Sequence, residues 1–280
     1  MPIPTIFTSS QISKLAKSSR IVTALQYSSS EVPQRSEEWF NLRKKKLTTS
    51  SFSTVLGFWE SNRRRELWRD KVFSTDSAVF SSFAKAATNW GSTHEATAID
   101  RYKAITGRVV LPLGFAVHPE DELNWLGGSP DGLLVNGGIL EVKCPFNRGK
   151  PYAGHPWENV PYYYMPQVQG LMEIMDRNWV DLYCWTPMGS TLFRVAREPD
   201  YFVAMHEILN EFWRECVVPA KEAVENDTGG DDRRGEVDLD SFMPRSKHPL
   251  TKSLVAMSKK LAGDAKLLCR DTGGVMVLYR

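Results

Sequence analysis

Two acids and a lysine, held close by a short segment, are the residues of this chain best suited to chemistry. Gly-Ser-Pro-Asp131-Gly is followed, ten positions after the acid, by Glu141-Val142-Lys143. Between them lie Leu133, Leu134 and Val135, then Asn136-Gly137-Gly138, then Ile139 and Leu140. Two apolar runs joined by Asn-Gly are a strong short-range hairpin signal. Side chains alternate along a strand, so Glu141 and Lys143 share one face while Leu140 and Val142 take the other. A hairpin bringing Asp131 beside Glu141 would set two carboxylates and one ammonium at a single point. That group suits hydrolysis of a phosphodiester with a hard divalent cation. Carboxylate oxygens ligate Mg²⁺, and a lysine can hold or activate the attacking water and offset phosphate charge.

Each part also has a plainer reading. Same-face Glu/Lys pairs occur on solvated sheets without any function. Pro-Asp-Gly is a good turn in its own right, so Asp131 could be a turn former only. The residues alone leave both readings open.

The flanking segments supply the elements that must position these groups. Ser36 to Lys46 reads as a short helix with Trp39 and Leu42 inward and a basic end. Thr48 to Ser51 offers caps for a second short helix ending near Gly57. Hydroxyls at a helix start beside an arginine suggest a phosphate seat, with simple capping as the alternative. Ser92-x-x-Glu95 fits a capping box opening a helix, with Ala98, Ile99, Tyr102 and Ile105 on one stripe and Gly107 as the stop. Val109 to Val117 is strand-like. Residues 144–160, rich in Pro, Gly and aromatics, form a long loop able to line a cleft.

Further on, residues 161–176 are predicted helical, at least from Pro166, with Gln167, Leu171 and Ile174 on one face. Trp179–Trp185 and Thr191–Ala196 form a strand pair across Pro187-Met-Gly. From Asp200 an amphipathic helix carries Phe202, Met205, Ile208, Leu209, Phe212 and Trp213 inward. The expected fold is α/β, a small mixed β-sheet flanked by helices.

Whole-chain properties exclude several classes. The 280 residues can bury a full core, and a net charge of +2 does not argue for nucleic acid. Arg43-Lys-Lys-Lys46 and Arg63-Arg-Arg65 are basic runs, either a nucleic-acid contact or solvated helix faces. Cys144, Cys184, Cys216 and Cys269 lack metal-site spacing and read as reduced thiols. No apolar run approaches the length of a membrane span. Residues 1–30 have no Asp or Glu, many Ser and Thr, and the cations Lys14, Lys17 and Arg20. That composition predicts a transit peptide for a plastid or mitochondrion; the alternative is a disordered leader in the cytoplasm or nucleus. Residues 226–280 are expected to form a polar linker and C-terminal tail.

Three motifs together carry a resemblance: Gly-Ser-Pro-Asp131-Gly, then Leu140-Glu-Val-Lys143-Cys-Pro-Phe146, then Tyr164-Met-Pro-Gln167-Val-Gln169. With Glu38-Trp39-x-x-Leu-Arg43 and Ser50 before them, the chain resembles the phage lambda-type exonucleases. These are also called YqaJ-like viral recombinase nucleases, of the PD-(D/E)XK superfamily. The likeness runs from about Ser36 to about Ala196. It implies a restriction-endonuclease-like core over residues 31–225 and a metal-dependent DNA exonuclease. Glu95, Asp131 and Glu141, with Val142, would bind Mg²⁺, for which Mn²⁺ could substitute. Lys143 would be the catalytic lysine, and Gln167 would align it or the water. Arg43, Ser50 and Ser129 would hold a 5′-terminal phosphate.

DNA is the implied partner, with no membrane. A homo-oligomer (ring trimers in phage members) and a single-strand annealing protein are companions implied by the resemblance alone. Competing readings are a structure-specific or single-strand endonuclease of the same fold, and a catalytically silent nucleic-acid-binding scaffold.

Overall fold

Ser36 opens the first helix as the sequence predicts, its Oγ accepting the Trp39 backbone N–H at 3.1 Å. A computed structural model describes residues 34–60, 62–74, 82–227 and 238–279. The leader and most of the polar stretch after Glu225 lie outside the described residues. Helix α1 is Glu37–Lys45. A short strand β1 (Leu47–Thr48), a tight turn and helix α2 (Phe52–Val55) follow, then α3 (Arg63–Phe73).

The next helix corrects the sequence reading. Helix α4 spans Ser82–Thr106, so Ser92 and Glu95 sit in its middle rather than in a capping box at its start. Ala84, Ala86 and Ala87 are strong helix formers, and they carry the helix back through a stretch with few apolar periodic residues. It stops at Gly107, whose φ is +65°.

The segment read as one strand over Val109–Val117 divides instead. Its first part is β2 (Val110–Leu111) and its second is β3 (Ala116–Val117), in two different sheets. Strands β4 (Leu126–Gly128), β5 (Gly132–Leu134) and β6 (Ile139–Lys143) follow. Helix α5 (Met165–Ile174) crosses to β7 (Trp179–Thr186), which pairs along its length with β8 (Gly189–Ala196). Helix α6 (Pro199–Asn210) runs on through a wider turn at Glu211–Val217 into α7 (Val218–Asp227).

Residues after 238 are no tail. Helix α8 (Thr251–Asp264) is pinned by Thr251 Oγ1 donating to Leu56 O at 2.8 Å and by Ser258 meeting the Tyr201 hydroxyl at 2.7 Å. Strands β9 (Lys266–Thr272) and β10 (Val275–Leu278) then extend the main sheet beyond β8. The signal was missed because β9 mixes Lys, Arg and Asp among apolar residues, and β10 is apolar throughout, so neither alternates cleanly.

The main sheet is mixed and seven-stranded, in the order β10-β9-β8-β7-β6-β5-β2. Only β6 and β7 are parallel neighbours in it; the other pairs are antiparallel. A second sheet orders β1-β4-β3. The expected α/β class holds, with a larger sheet than expected. Ile139, Val180 and Leu182 face the large core shared with α5, α6 and α8, while Leu140, Val142 and Tyr183 face α4. All four cysteines are free thiols, as read. Among the described residues no helix is long and apolar enough to cross a membrane.

Arg64 shows that one residue of the second basic run is structural rather than a surface charge. It is 1 % exposed and donates to Arg245 O and to Glu211 Oε1.

Helix α4 is tied to the sheet through a buried charge. Asp181 on β7 is fully buried; its Oδ2 accepts the Tyr102 hydroxyl at 2.7 Å and pairs with Arg108, and its Oδ1 accepts Arg194 Nε at 2.9 Å. Removing one partner of a buried ion pair strands the others. Asp181→Ala is therefore expected to destabilise the fold by about 3 kcal/mol, read as the shift of a urea unfolding midpoint.

Candidate active site

The Asn136-Gly137 turn forms with Gly137 at φ +96°, a left-handed value that favours glycine. Leu134 exchanges backbone hydrogen bonds across it, its N–H to Gly138 O and its O from Gly137 N–H, both 2.9 Å. Pairing of Gly132 with Leu140 sets the register and places Asp131 across from Glu141. Asp131 Oδ2 accepts the Val142 backbone N–H at 2.6 Å, closing the mouth of the hairpin. Glu141 Oε1 accepts Lys143 Nζ at 2.7 Å and Gln167 Nε2 at 2.6 Å. Gln167 reaches it from the first turn of α5. Lys143 Nζ also lies 5.1 Å from the centroid of the Tyr164 ring.

Glu95 completes the group from α4. It lines, with Asp131, Glu141, Val142, Lys143 and Tyr164, a cleft of about 260 Å³. Thr88, Gly91 and Ser92 of α4 and Cys144 and Pro145 after β6 form the rest of its wall. The loop expected to line a cleft does so at its first two residues.

Charge is crowded here. Burial pushes the Asp131 carboxyl well above its usual range, Glu141 and Glu95 push it further, and Lys143 opposes them. Burial also raises Glu95, against Arg35 and with Glu141. Burial disfavours the Lys143 ammonium, yet Glu141, Tyr164 and Asp131 outweigh it and hold its pKa above the ordinary value. Glu141 is 2 % exposed, and its Oε2 is buried with no hydrogen-bond partner.

A buried polar atom left unpaired costs about 1–3 kcal/mol, more when charged. A hard divalent cation would satisfy it, and the carboxylate oxygens around it are the donors such a cation takes. The residues therefore fit Mg²⁺. They are not drawn into a closed ligand set: among the described residues no three His, Cys, Asp or Glu side chains form one. Glu95 is instead paired with Arg35, Nη2 to Oε2 at 2.6 Å.

A second cluster lies beside the cleft. Arg43 Nη2 donates to Ser50 Oγ at 3.1 Å, and its guanidinium sits 4.2 Å from the Trp39 ring centroid. Trp39 Nε1 donates to Ser129 Oγ at 2.8 Å. The three residues expected to hold a phosphate are thus brought together, with Trp39 between them. Burial lowers Arg43 to about 10, and the Glu141 charge works against that shift. Lys71 Nζ donates to the carbonyls of Arg43 and Lys46 at 2.8 and 2.7 Å, which anchors the end of α1.

Close packing holds Ser129 near Ser50. A Cβ at Gly128, the residue before Ser129, would fall 2.8 Å from both Thr49 Oγ1 and Leu171 Cδ2. Only glycine lets β4 approach the turn and α5 this closely.

All nine residues singled out from the sequence are placed at the cleft or at this neighbouring cluster. Val142 enters through its backbone N–H; its side chain belongs to the opposite core. Sequence reasoning missed Arg35 and the contact of Tyr164 with Lys143. Arg35 precedes the first helix without any periodic signal. Trp39 was legible: four residues before Arg43 on a helix, it shares that face.

With the geometry in place, comparison with known proteins decides the family. The YqaJ-like viral recombinase domain matches residues 38–178. The chain belongs to that family. Among solved structures it is similar to an alkaline exonuclease, LHK-Exo, from Laribacter hongkongensis. Identity is 24 % and the TM-score 0.55, over 69 % of this chain and 98 % of that one. A structure of LHK-Exo in complex with dAMP matches at 25 % identity and a TM-score of 0.56, with the same coverage. No curated protein matches the chain. The fold is that of these exonucleases.

The crowding of carboxylates has a measurable consequence. A carboxyl whose folded pKa is raised destabilises the fold above that pKa, and the effect vanishes below the unfolded value of about 3.9. Asp131→Asn keeps an acceptor for Val142 and removes one negative charge. In EDTA at neutral pH the variant is expected to melt about 2–4 °C above wild type, with the gap closing towards acid pH, as read by calorimetry.

Proposed function

We propose that this protein is a Mg²⁺-dependent exonuclease hydrolysing phosphodiester bonds of linear double-stranded DNA from 5′-phosphorylated ends, in DNA recombination, repair or turnover. The observation that carries this reading is the unpartnered buried Oε2 of Glu141. Glu141 lines a cleft with Asp131, Glu95 and Lys143, beside the Arg43–Ser50–Ser129 cluster. When bound by Asp131, Glu141, Glu95 and the Val142 main chain, Mg²⁺, or Mn²⁺ in its place, supplies Lewis-acid stabilisation of the attacking and leaving oxygens.

The chain's own residues do the rest. Lys143, held charged by its neighbours, donates hydrogen bonds and offsets the charge that builds on the phosphate. Gln167 and Lys143 both hold Glu141 Oε1, and the second oxygen of Glu141 is left without a donor. Arg43, kept in place by stacking on Trp39 and by Ser50, is suited to a terminal phosphate through charge-assisted hydrogen bonds. Contacts of this kind go to phosphate and not to base edges, so no sequence preference is expected.

Lys143→Ala and Asp131→Ala are each expected to lower Mg²⁺-dependent loss of a linear duplex by about 10³-fold while the folded state persists. EDTA should abolish cleavage by wild type, and a closed circle should be spared. Wild-type rates in purified Lys143→Ala would sink the mechanism; a cut circle would sink the end-bound mode. Arg43→Ala should reduce the preference for 5′-phosphate over 5′-hydroxyl ends by about 10-fold, the worth of one charge-assisted hydrogen bond. Equal loss on both ends would remove Arg43 from that role.

A further inference from the structure

Helix α4 presents two neighbouring stripes. Thr88, Gly91, Ser92 and Glu95 line the cleft. Phe83, Trp90 and His94 lie on the adjacent stripe, spaced at whole turns of the helix. The loop after β6 lays two more rings against them. Phe146 packs on Phe83 with centroids 5.4 Å apart and on Trp90 at 6.4 Å, and Tyr152 meets Trp90 edge-on at 5.0 Å. Trp90 forms the buried base of this shelf. Phe83 is 53 % and Tyr152 71 % exposed. The shelf runs directly into the cleft, since Cys144 and Pro145 of the same loop line it.

The two segments that build the shelf carry cations and no acid. Neither residues 82–94 nor residues 144–157 contain an Asp or Glu, although the chain has 33 of them. Lys85 on α4 and Arg148 and Lys150 in the loop are exposed beside the rings. Open aromatic faces and exposed cations are the two components of a surface that tracks a single strand: stacking for bases and positive charge for phosphates. A duplex keeps its internal base faces stacked on one another, whereas a single strand offers every base face to such rings. Exposed Lys85, Arg148 and Lys150 beside the rings also favour a polyanion over a protein partner.

We propose that Phe83 and Tyr152 stack the unpaired bases of single-stranded DNA as it passes to or from the cleft. This rests on the DNA-cleaving role given above and adds that the strand is unstacked beside the site.

The test uses the full chain in EDTA, so that cleavage plays no part, and a 12-nucleotide thymidylate strand carrying one 2-aminopurine. Binding to wild type should change the 2-aminopurine emission. Phe83→Ala/Tyr152→Ala should raise the Kd about 10-fold and abolish the emission change. Phe83→Leu/Tyr152→Leu keeps apolar bulk without a π-face and should behave the same way, which separates stacking from loss of fold. Unchanged Kd and emission in the leucine variant would overturn the proposal. So would an equal loss of affinity for a blunt duplex. Failure of Mg²⁺-dependent cleavage in wild type would count against the catalytic reading and would leave this binding result standing.

Discussion

Everything around the cleft depends on one constraint: three carboxylates line one small, largely buried space and repel one another. Burial and the neighbouring Glu141 charge raise the proton affinity of Asp131 and of Glu95, while Lys143 opposes the shift at both and Arg35 opposes it at Glu95. A flexible segment would separate such charges. Here the β5–β6 ladder and the Asp131 to Val142 hydrogen bond leave no room to do so. The electrostatic strain is the counterpart of the site's fitness for a cation, because the oxygen left without a partner, Glu141 Oε2, faces no donor in the protein.

Rigid supports on both sides keep the arrangement. Helix α4 brings Glu95 from one side and is locked to the sheet through Tyr102, Arg108 and the buried Asp181. Helix α5 brings Gln167 from the other side and packs its Leu171 against Gly128, one residue from Ser129. The same helix therefore helps to set the carboxylate group and the Arg43 cluster. That shared support is a physical reason for two separately supplied groups of residues to keep a fixed spacing.

The hairpin was legible because its signals are local. Asn136-Gly137 dictates the turn, alternation dictates faces, and one register follows from both. The β7–β8 pair and the helix from Pro199 were legible for the same reason. Three features were not. Helix α4 begins well before Ser92, because Ala-rich sequence is helical without showing an apolar stripe. Val109–Val117 divides between two sheets, a choice made by partners far along the chain. The last forty residues complete the main sheet, although the polar stretch before them reads as the end of a domain.

The sequence by itself determined the chemistry. Residue types and short spacings placed Asp131, Glu141 and Lys143 together, since turn and strand geometry act over a few residues. Only the tertiary structure decided what surrounds them. Glu95 and Gln167 come from helices 36 residues before and 36 after Asp131, the Arg35 ion pair spans a fold of the chain, and the aromatic shelf joins a helix stripe to a distant loop. Such contacts depend on packing between elements, and no local pattern encodes which stripe of one helix will meet which loop.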